Sequence, residues 1–177
     1  TIGAVERYIT DTAFAEGWVK AACPAVERSE SVGIIGAGPG GLAAAEMLRQ
    51  QGYHVHVYDR YDRIGGLLIY GIPNFKLEKH IVERRANLLI DSGVEFHLQF
   101  EIGRDATLAD LRARHDAVLI ATGAYKAREI KVPGVGLDNI FKAMDYLTAS
   151  NRKGLGDAVP KFDDGTLNAA GKNVVVI

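Results

Sequence analysis

The sequence predicts an α/β fold in three layers, with a parallel central sheet between helices. Two observations predict it. From residue 32 onward, segments with strand character alternate with segments of helical periodicity, the order in which parallel strands and their crossover helices follow one another. The clearest strand segments, Val32 to Ile35 and Ala117 to Ile120, are short continuous apolar runs, as expected of strands buried on both faces.

Taken in chain order, Thr1 can cap a short helix in which Val5, Tyr8, Ile9 and Ala13 recur at helical spacing, ending near Gly17. Pro24 and the charged stretch Glu27 to Glu30 read as linker. After the first buried strand, Pro39 to Gln51 reads as helix, with small residues Ala43 to Ala45 permitting close approach and Gly52 in the stop position. Tyr53 to Asp59 follows as a strand, completing a strand-helix-strand unit. Glu78 to Ser92 carries Ile81, Val82, Ala86, Leu88 and Leu89 on one side of a helix stopped by Gly93, and Val94 to Leu98 returns as strand. Thr107 can cap a helix through Arg112, ahead of the strand Ala117 to Ile120. Phe141 to Thr148 reads as helix, Asn151 to Lys172 as a polar connector, and Asn173 to Ile177 as the start of another strand.

Composition narrows the function classes. A net charge of -1, with Lys and Arg scattered among Asp and Glu, supplies no field for nucleic acid or an anionic membrane. Neither partner is expected. Cys23 is the one cysteine, so these residues cannot form a disulfide framework, a CxxC pair or a thiolate set for zinc or iron-sulfur. No apolar run approaches the roughly 20 residues that span a bilayer, and the N-terminus lacks a signal-peptide layout. A cytoplasmic location is expected. The first residue is Thr and the last run is Val-rich, which reads as a piece of a longer chain.

The glycine loop carries the chemistry. Gly36-Ala37-Gly38-Pro39-Gly40-Gly41 matches GxGxxG between a buried strand and a helix, the context that makes this pattern a dinucleotide fingerprint. Gly36 permits the tight turn, Gly38 lets backbone approach a pyrophosphate, and Gly41 lets helix and strand pack closely. The diphosphate then meets free helix amides and the positive end of the helix dipole. A glycine turn serving only packing is the bland alternative. Asp59 closes the second strand 18 residues after Gly41, where a carboxylate can accept from a ribose diol and disfavours a 2'-phosphate despite the adjacent Arg60.

FAD and NAD share this fingerprint, so the segment after Asp59 decides. Gly65-Gly66-Leu67 begins six residues on, a spacing that resembles the FAD-binding half of two-domain flavoprotein reductases. The run from Gly65 to Pro73 is too apolar for an ordinary exposed loop and suits the wall of a pocket for a flat ring, with burial for packing alone as the alternative.

Residues 36–48 (GAGPGGLAAAEML), 58–79 (YDRYDRIGGLLIYGIPNFKLEK) and 118–134 (VLIATGAYKAREIKVPG) resemble the small-subunit family of NADPH-dependent glutamate synthase, within the flavoproteins that carry two dinucleotide-binding domains. Flavin portions of related pyrimidine- and ferredoxin-linked reductases share part of the pattern. The resemblance implies an incomplete Rossmann-like FAD-binding domain at 29–150, preceded by a helix and linker at 1–28 from an iron-sulfur domain. It further implies a connector at 151–172, and at 173–177 the first strand of an NADPH-binding domain. It assigns the FAD pyrophosphate to Gly36, Ala37, Gly38, Pro39, Gly40 and Gly41, and the ribose to Asp59 beside Arg60. Gly65, Gly66, Leu67 and Lys76 fall to the neighbouring phosphate and ribityl, Ile102 to the adenine through its backbone, and Ala121, Thr122 and Gly123 to the turn near the flavin. The implied chemistry is hydride transfer from NADPH to FAD and onward electron flow through iron-sulfur clusters to a large subunit that makes glutamate. NADPH and clusters would be bound by other parts of the protein, so these residues alone are expected not to oxidise NADPH and to hold FAD weakly. Position and electrostatics come from the protein and reactivity from the cofactor, so no catalytic side chain is assigned.

His54 and His56, two apart on one strand face, could pair on a metal, but no third ligand is in view and no metal site is assigned. His80, His97, His115 and Cys23 receive no chemistry. Arg84 and Arg85 could dock an acidic partner, though a solvated helix face is the simpler reading.

Overall fold

The computed structural model describes every residue except Glu129, which lies in the 118–134 motif and so outside the described residues. Four parallel strands form one sheet in the order β3-β2-β1-β4: β1 (Ser31–Ile35), β2 (His54–Asp59), β3 (Glu95–Leu98) and β4 (Ala117–Ile120). The register pairs Val32 with Val55 and with Ala117, and His56 with Glu95. All neighbours run parallel, so each connection crosses over through a helix.

Period two along β1 and β2 divides the core into two faces. Val32, Ile34, Val55 and Val57 point one way, joining Leu42 and Ala45 of α2 (Pro39–Gln50) and Leu89 of α4 (Lys79–Asp91). Ile35 and Tyr58 point the other way, onto Ala106 in the preceding loop and Leu111 of α5 (Leu108–Arg114). Ile34, Val57 and Leu111 are fully buried, each such side chain contributing about 1.5–3 kcal/mol by leaving water. β1 and β2 are therefore covered on both sides, as their apolar residues require; β4, expected from its apolar run to be buried on both faces, is instead open at the end of the described sheet, with Leu119 40% and Ile120 61% exposed.

The helix ends follow their sequence signals. Thr1 caps α1 (Ile2–Ala15), accepting from the Ala4 amide at 3.4 Å. Thr107 and Asp110 form a reciprocal capping box on α5. Gly52 and Gly93 follow α2 and α4 with φ of +89° each, the left-handed turn that ends a helix most cheaply in glycine.

Arg84 and Arg85 each pair with a neighbouring helix, although the Arg85 side chain stays 40% exposed. Arg84 pairs with Asp11 at 3.1 Å and stacks over Phe14, 3.8 Å from the ring centroid, so it fastens α1 to α4. Arg85 pairs with Glu46 and fastens α4 to α2. The linker of residues 16–30 is likewise anchored, because the largely buried Arg49 forks onto Glu27 and donates to the Ser92 carbonyl at 2.6 Å. The apolar residues Val5, Tyr8 and Ile9 of α1 stay exposed.

Two segments differ from expectation. The last long helix, α6, spans Ala143–Gly154, so the expected connector begins as helix, and α7 (Pro160–Asp163) interrupts it again. The polar run that reads as a helix stop contains the docking residues: Asn151 is buried and its amide donates to the Tyr70 carbonyl at 3.0 Å. Residues 173–177 lie in no strand, with Val174 61% and Ile177 99% exposed. A strand exists only against a neighbour, and nothing among the described residues pairs with this run.

Candidate functional site

The glycine loop stands at the carboxyl end of β1, where the strand order reverses between β1 and β4. That is the switch point at which open α/β sheets bind ligands. Gly36 has φ +114°, and a Cβ there would run into the Ala121 carbonyl. Gly41 is pressed so closely to the Gly36 carbonyl oxygen that no side chain fits. Gly38, by contrast, has nothing within 4 Å of an added Cβ. It is the N-cap of α2, contributes no side-chain hydrogen bond, and is followed by Pro39 at the first helical position. The helix therefore begins with uncapped amides beside an open space, the electrostatic requirement for an anion.

Asp59 holds this loop. It is 8% exposed, and its two oxygens accept from the Ala37 amide at 2.6 Å and the Tyr61 amide at 2.8 Å. The Gly36 amide donates to the Tyr58 carbonyl at 2.8 Å, so β2 fixes both ends of the turn. Each carboxylate oxygen keeps a second lone pair for a ligand hydroxyl.

Beside Asp59 opens a cavity of about 330 Å³ lined by Gly36, Tyr58, Asp59, Arg60, Phe100, Glu101, Ile102, Thr122, Gly123 and Tyr125, with Ile35 below. Its size suits a nucleoside rather than a whole dinucleotide, and its charges, two carboxylates to one guanidinium, suit hydroxyls rather than phosphate. Arg60 lies over Tyr61 and Tyr125, 5.1 and 4.3 Å from the ring centroids, and closes one side. Ile102 is held by a bridge to Ala106, while the Ala121 amide donates to the Ile35 carbonyl at 2.8 Å. Sequence reasoning missed Tyr58, Phe100, Glu101 and Tyr125. The strand period could have placed Tyr58; the others arrive on loops whose path no local pattern specifies.

The Gly65-Gly66 turn folds back onto the cradle. The Gly65 amide donates to the Ala37 carbonyl at 2.9 Å, and a Cβ on Gly66, where φ is +53°, would come within 2.8 Å of the Gly38 Cα. The apolar run after it is not an open wall. Leu67–Tyr70 coils into the single-turn helix α3, whose Ile69 and Tyr70 are buried against Val82. Leu67 remains 48% exposed. Packing thus consumes two of the side chains expected to face a ring.

Lys76 is exposed, its Nζ 5.9 Å from the Phe75 ring centroid, and it does not line the cavity. The buried lysine is Lys79, which donates to the carbonyls of Leu68 at 3.0 Å and of Ile72. It satisfies backbone acceptors left over at the end of α3, and burial pushes its amine below the usual range.

A charged network clamps α3 to α6. Arg63 forks onto Asp157 at 2.6 and 2.8 Å, Arg152 bonds Asp62 at 2.9 Å and Asp157 at 3.0 Å, and the Tyr70 hydroxyl donates to Asp62. Burial and then the Asp62 hydrogen bond push the Tyr70 phenol up to about 12. Burial alone would raise Asp62, but hydrogen bonds from Tyr70 and Arg152 outweigh it and hold the carboxyl low. The Arg63 hydrogen bond does the same for Asp157 against a smaller cost of burial. Depressed folded values mean stability that is complete above the unfolded carboxylate value of about 3.9 and is lost as pH falls through the lower folded values. We expect the melting temperature to hold down to about pH 5 and to drop between about pH 5 and pH 2, and the drop to shrink in Asp157→Asn. An unchanged profile in that variant would remove the network from the acid response.

These features define the class: an α/β, Rossmann-like nucleotide-binding domain of the kind found in FAD-dependent oxidoreductases. Residues 30–177 match the family described as pyridine nucleotide-disulphide oxidoreductase, and the chain belongs to that family. It is 65% identical over 177 residues to the glutamate synthase (NADPH) small chain of Azospirillum brasilense, covering all of this chain and 37% of the relative. It is 61% identical over 177 residues to a putative glutamate synthase (NADPH) small chain of Cereibacter sphaeroides, covering all of this chain and 42% of the relative. The chain thus spans well under half the length of either relative. The structure of Mycobacterium tuberculosis FprA in complex with NADPH matches with a TM-score of 0.64 at 24% identity, over 70% of this chain and 29% of that one, a likeness of fold. No helix among the described residues is long and apolar enough to cross a membrane.

Proposed function

We propose that this domain binds FAD in a glutamate synthase small subunit and passes electrons from NADPH to iron-sulfur clusters and on to a large subunit in the cytoplasm. The observation that carries the reading is the junction of the two glycine motifs. Gly65-Gly66 is bonded onto the Ala37 carbonyl beside the uncapped start of α2, so backbone from both motifs converges where a diphosphate would lie. Names of the relatives support the physiological role.

The residues present fit the cofactor. Gly38 leaves open the space that a Cβ would fill. Uncapped α2 amides would hold the diphosphate, Asp59 and Ile102 the adenosine in the 330 Å³ cavity, and Ala121 to Gly123 the approach to the flavin. FAD supplies the hydride-accepting chemistry when bound. In the proposed division, residues 1–28 lead from an iron-sulfur domain, 29–150 form the first part of the flavin domain, 151–172 connect, and 173–177 begin the NADPH-binding domain. In this reading the exposed Lys76 serves the phosphate and ribityl region.

The full-length protein is expected to purify yellow, with a flavin spectrum bleached by NADPH. Gly38→Ala is expected to leave folding stability within about 1 kcal/mol, because its φ of -84° accepts alanine. It should nevertheless weaken FAD by at least about 10-fold, because a methyl group then stands where the diphosphate approaches. A colourless full-length protein, or a Gly38→Ala variant with undiminished flavin, would overturn the reading.

A further inference from the structure

The face of the sheet opposite α2 carries a group of histidines that nucleotide binding does not use. Strand pairing sets His56 of β2 directly beside Glu95 of β3, and period two brings His97 to the same face. His56 Nδ1 lies 3.3 Å from His97 Nε2 and 3.5 Å from Glu95 Oε2, and the three ligand atoms all fall within 4.8 Å of one another. A tetrahedral ion with zinc-nitrogen bonds of about 2.05 Å separates its ligand atoms by about 3.3 Å. Two of the three spacings therefore already match a shared ion.

The rings are also held in place. His97 stacks on Tyr58 with centroids 4.5 Å apart and planes within 13°. The Tyr58 hydroxyl is bonded to His115 Nε2 at 2.9 Å, and His115 Nδ1 to the Ser31 hydroxyl at 3.1 Å. Gly33 makes room for this chain, since a Cβ there would sit 2.6 Å from the His115 ring. With both nitrogens engaged, His115 is not a ligand but a support for the ring that Tyr58 orients, the role that outer partners play around metal-binding histidines. Arg114 faces the cluster as well, and the Glu95 carboxylate offsets its charge. The Glu95 side chain is 65% exposed and the His56 side chain 22%, leaving an entry path and a fourth position open to water.

We infer that His56, Glu95 and His97 form a binding site for a divalent ion of the zinc class, with two imidazoles and one carboxylate as ligands, which staples the edge strand β3 to β2. Nitrogen-rich, mixed-oxygen ligation selects zinc, cobalt or nickel over magnesium or calcium. The site does not depend on the flavin reading, and its loss would leave that reading intact.

Calorimetric titration of the EDTA-stripped full chain with ZnCl₂ tests this. One equivalent is expected to bind, with a rise in melting temperature, and His56→Gln or His97→Gln should weaken binding by at least about 10-fold. Glu95→Gln changes an exposed side chain, so it should retain the metal-free fold and still lose affinity. His54→Gln and His80→Gln, altering exposed histidines outside the group, should bind as the parent does. MgCl₂ should give no heat. Absence of zinc binding, or zinc binding that survives both His56→Gln and Glu95→Gln, would overturn the inference and leave an imidazole-imidazole hydrogen bond.

Discussion

Gly41→Ala is expected to destabilise the protein by about 3 kcal/mol, a fall of about 6–12 °C in melting temperature for a domain of this size. The cause is backbone against backbone: an added Cβ meets the Gly36 carbonyl oxygen, with the Ile34 side chain 3.4 Å away. Neither neighbour can yield. Gly36 is itself pinned, its amide bonded to Tyr58 and its Cα facing the Ala121 carbonyl, and Ile34 is 0% exposed in the centre of the core. Relief requires α2 to lift from β1, which would open the cluster of Leu42, Ala45, Val55 and Val57. Thermal melts of Gly41→Ala and Gly38→Ala side by side separate the two roles of the loop. The first should lose stability and flavin together, the second flavin alone. Equal melting temperatures would show that the third glycine is not a packing requirement.

The order of elements was legible because the strands have short apolar runs, although only β1 of the two continuous runs is buried as expected and β4 is largely exposed, and because Thr1, Thr107, Gly52 and Gly93 mark helix ends chemically. Harder to read was where polar residues go once the chain closes. Arg84 and Arg85 read in sequence as a solvated helix face, yet each has a tertiary partner, and so do Arg49 and Lys79, which no sequence pattern singled out. Periodicity reports which face is apolar and says nothing of a long cationic side chain that crosses to another element. The same limit applies to α6. Asn151 and Arg152 read as a helix stop because they are polar, and they are polar because they bond Tyr70 and Asp62.

For the candidate site, the glycines were legible and the walls were not. GxGxxG between strand and helix fixes a backbone conformation, so its placement follows from local chemistry. The apolar run after Gly66 has two physical uses, ligand contact and core packing, and composition does not separate them. Ile69 and Tyr70 serve the core, while Leu67 is left outside. The histidines show the converse. His56 has one neighbour in sequence, His54, but its spatial partners Glu95 and His97 lie on another strand, brought beside it by a register that only the folded sheet defines.

Asp59→Ala carries the second large effect, and its direction distinguishes a structural from a ligand-binding carboxylate. The residue is buried with its oxygens on the amides of Ala37 and Tyr61. Removing it leaves two donors without acceptors, at about 1–3 kcal/mol for each that stays dry, so about 3 kcal/mol is expected in urea unfolding of the apo chain. Asn at this position offers one oxygen and, facing the other amide, a second donor, so it recovers at most one of the two bonds. The Gly36-Ala37 turn then loses its fixed orientation, and with it the alignment of the α2 amides. A variant as stable as the parent would mean that water replaces the carboxylate freely, and Asp59 would then be a ligand residue alone. The expected loss of stability before any nucleotide is added makes it first a brace for the cradle, through which any contribution to ribose recognition is positioned.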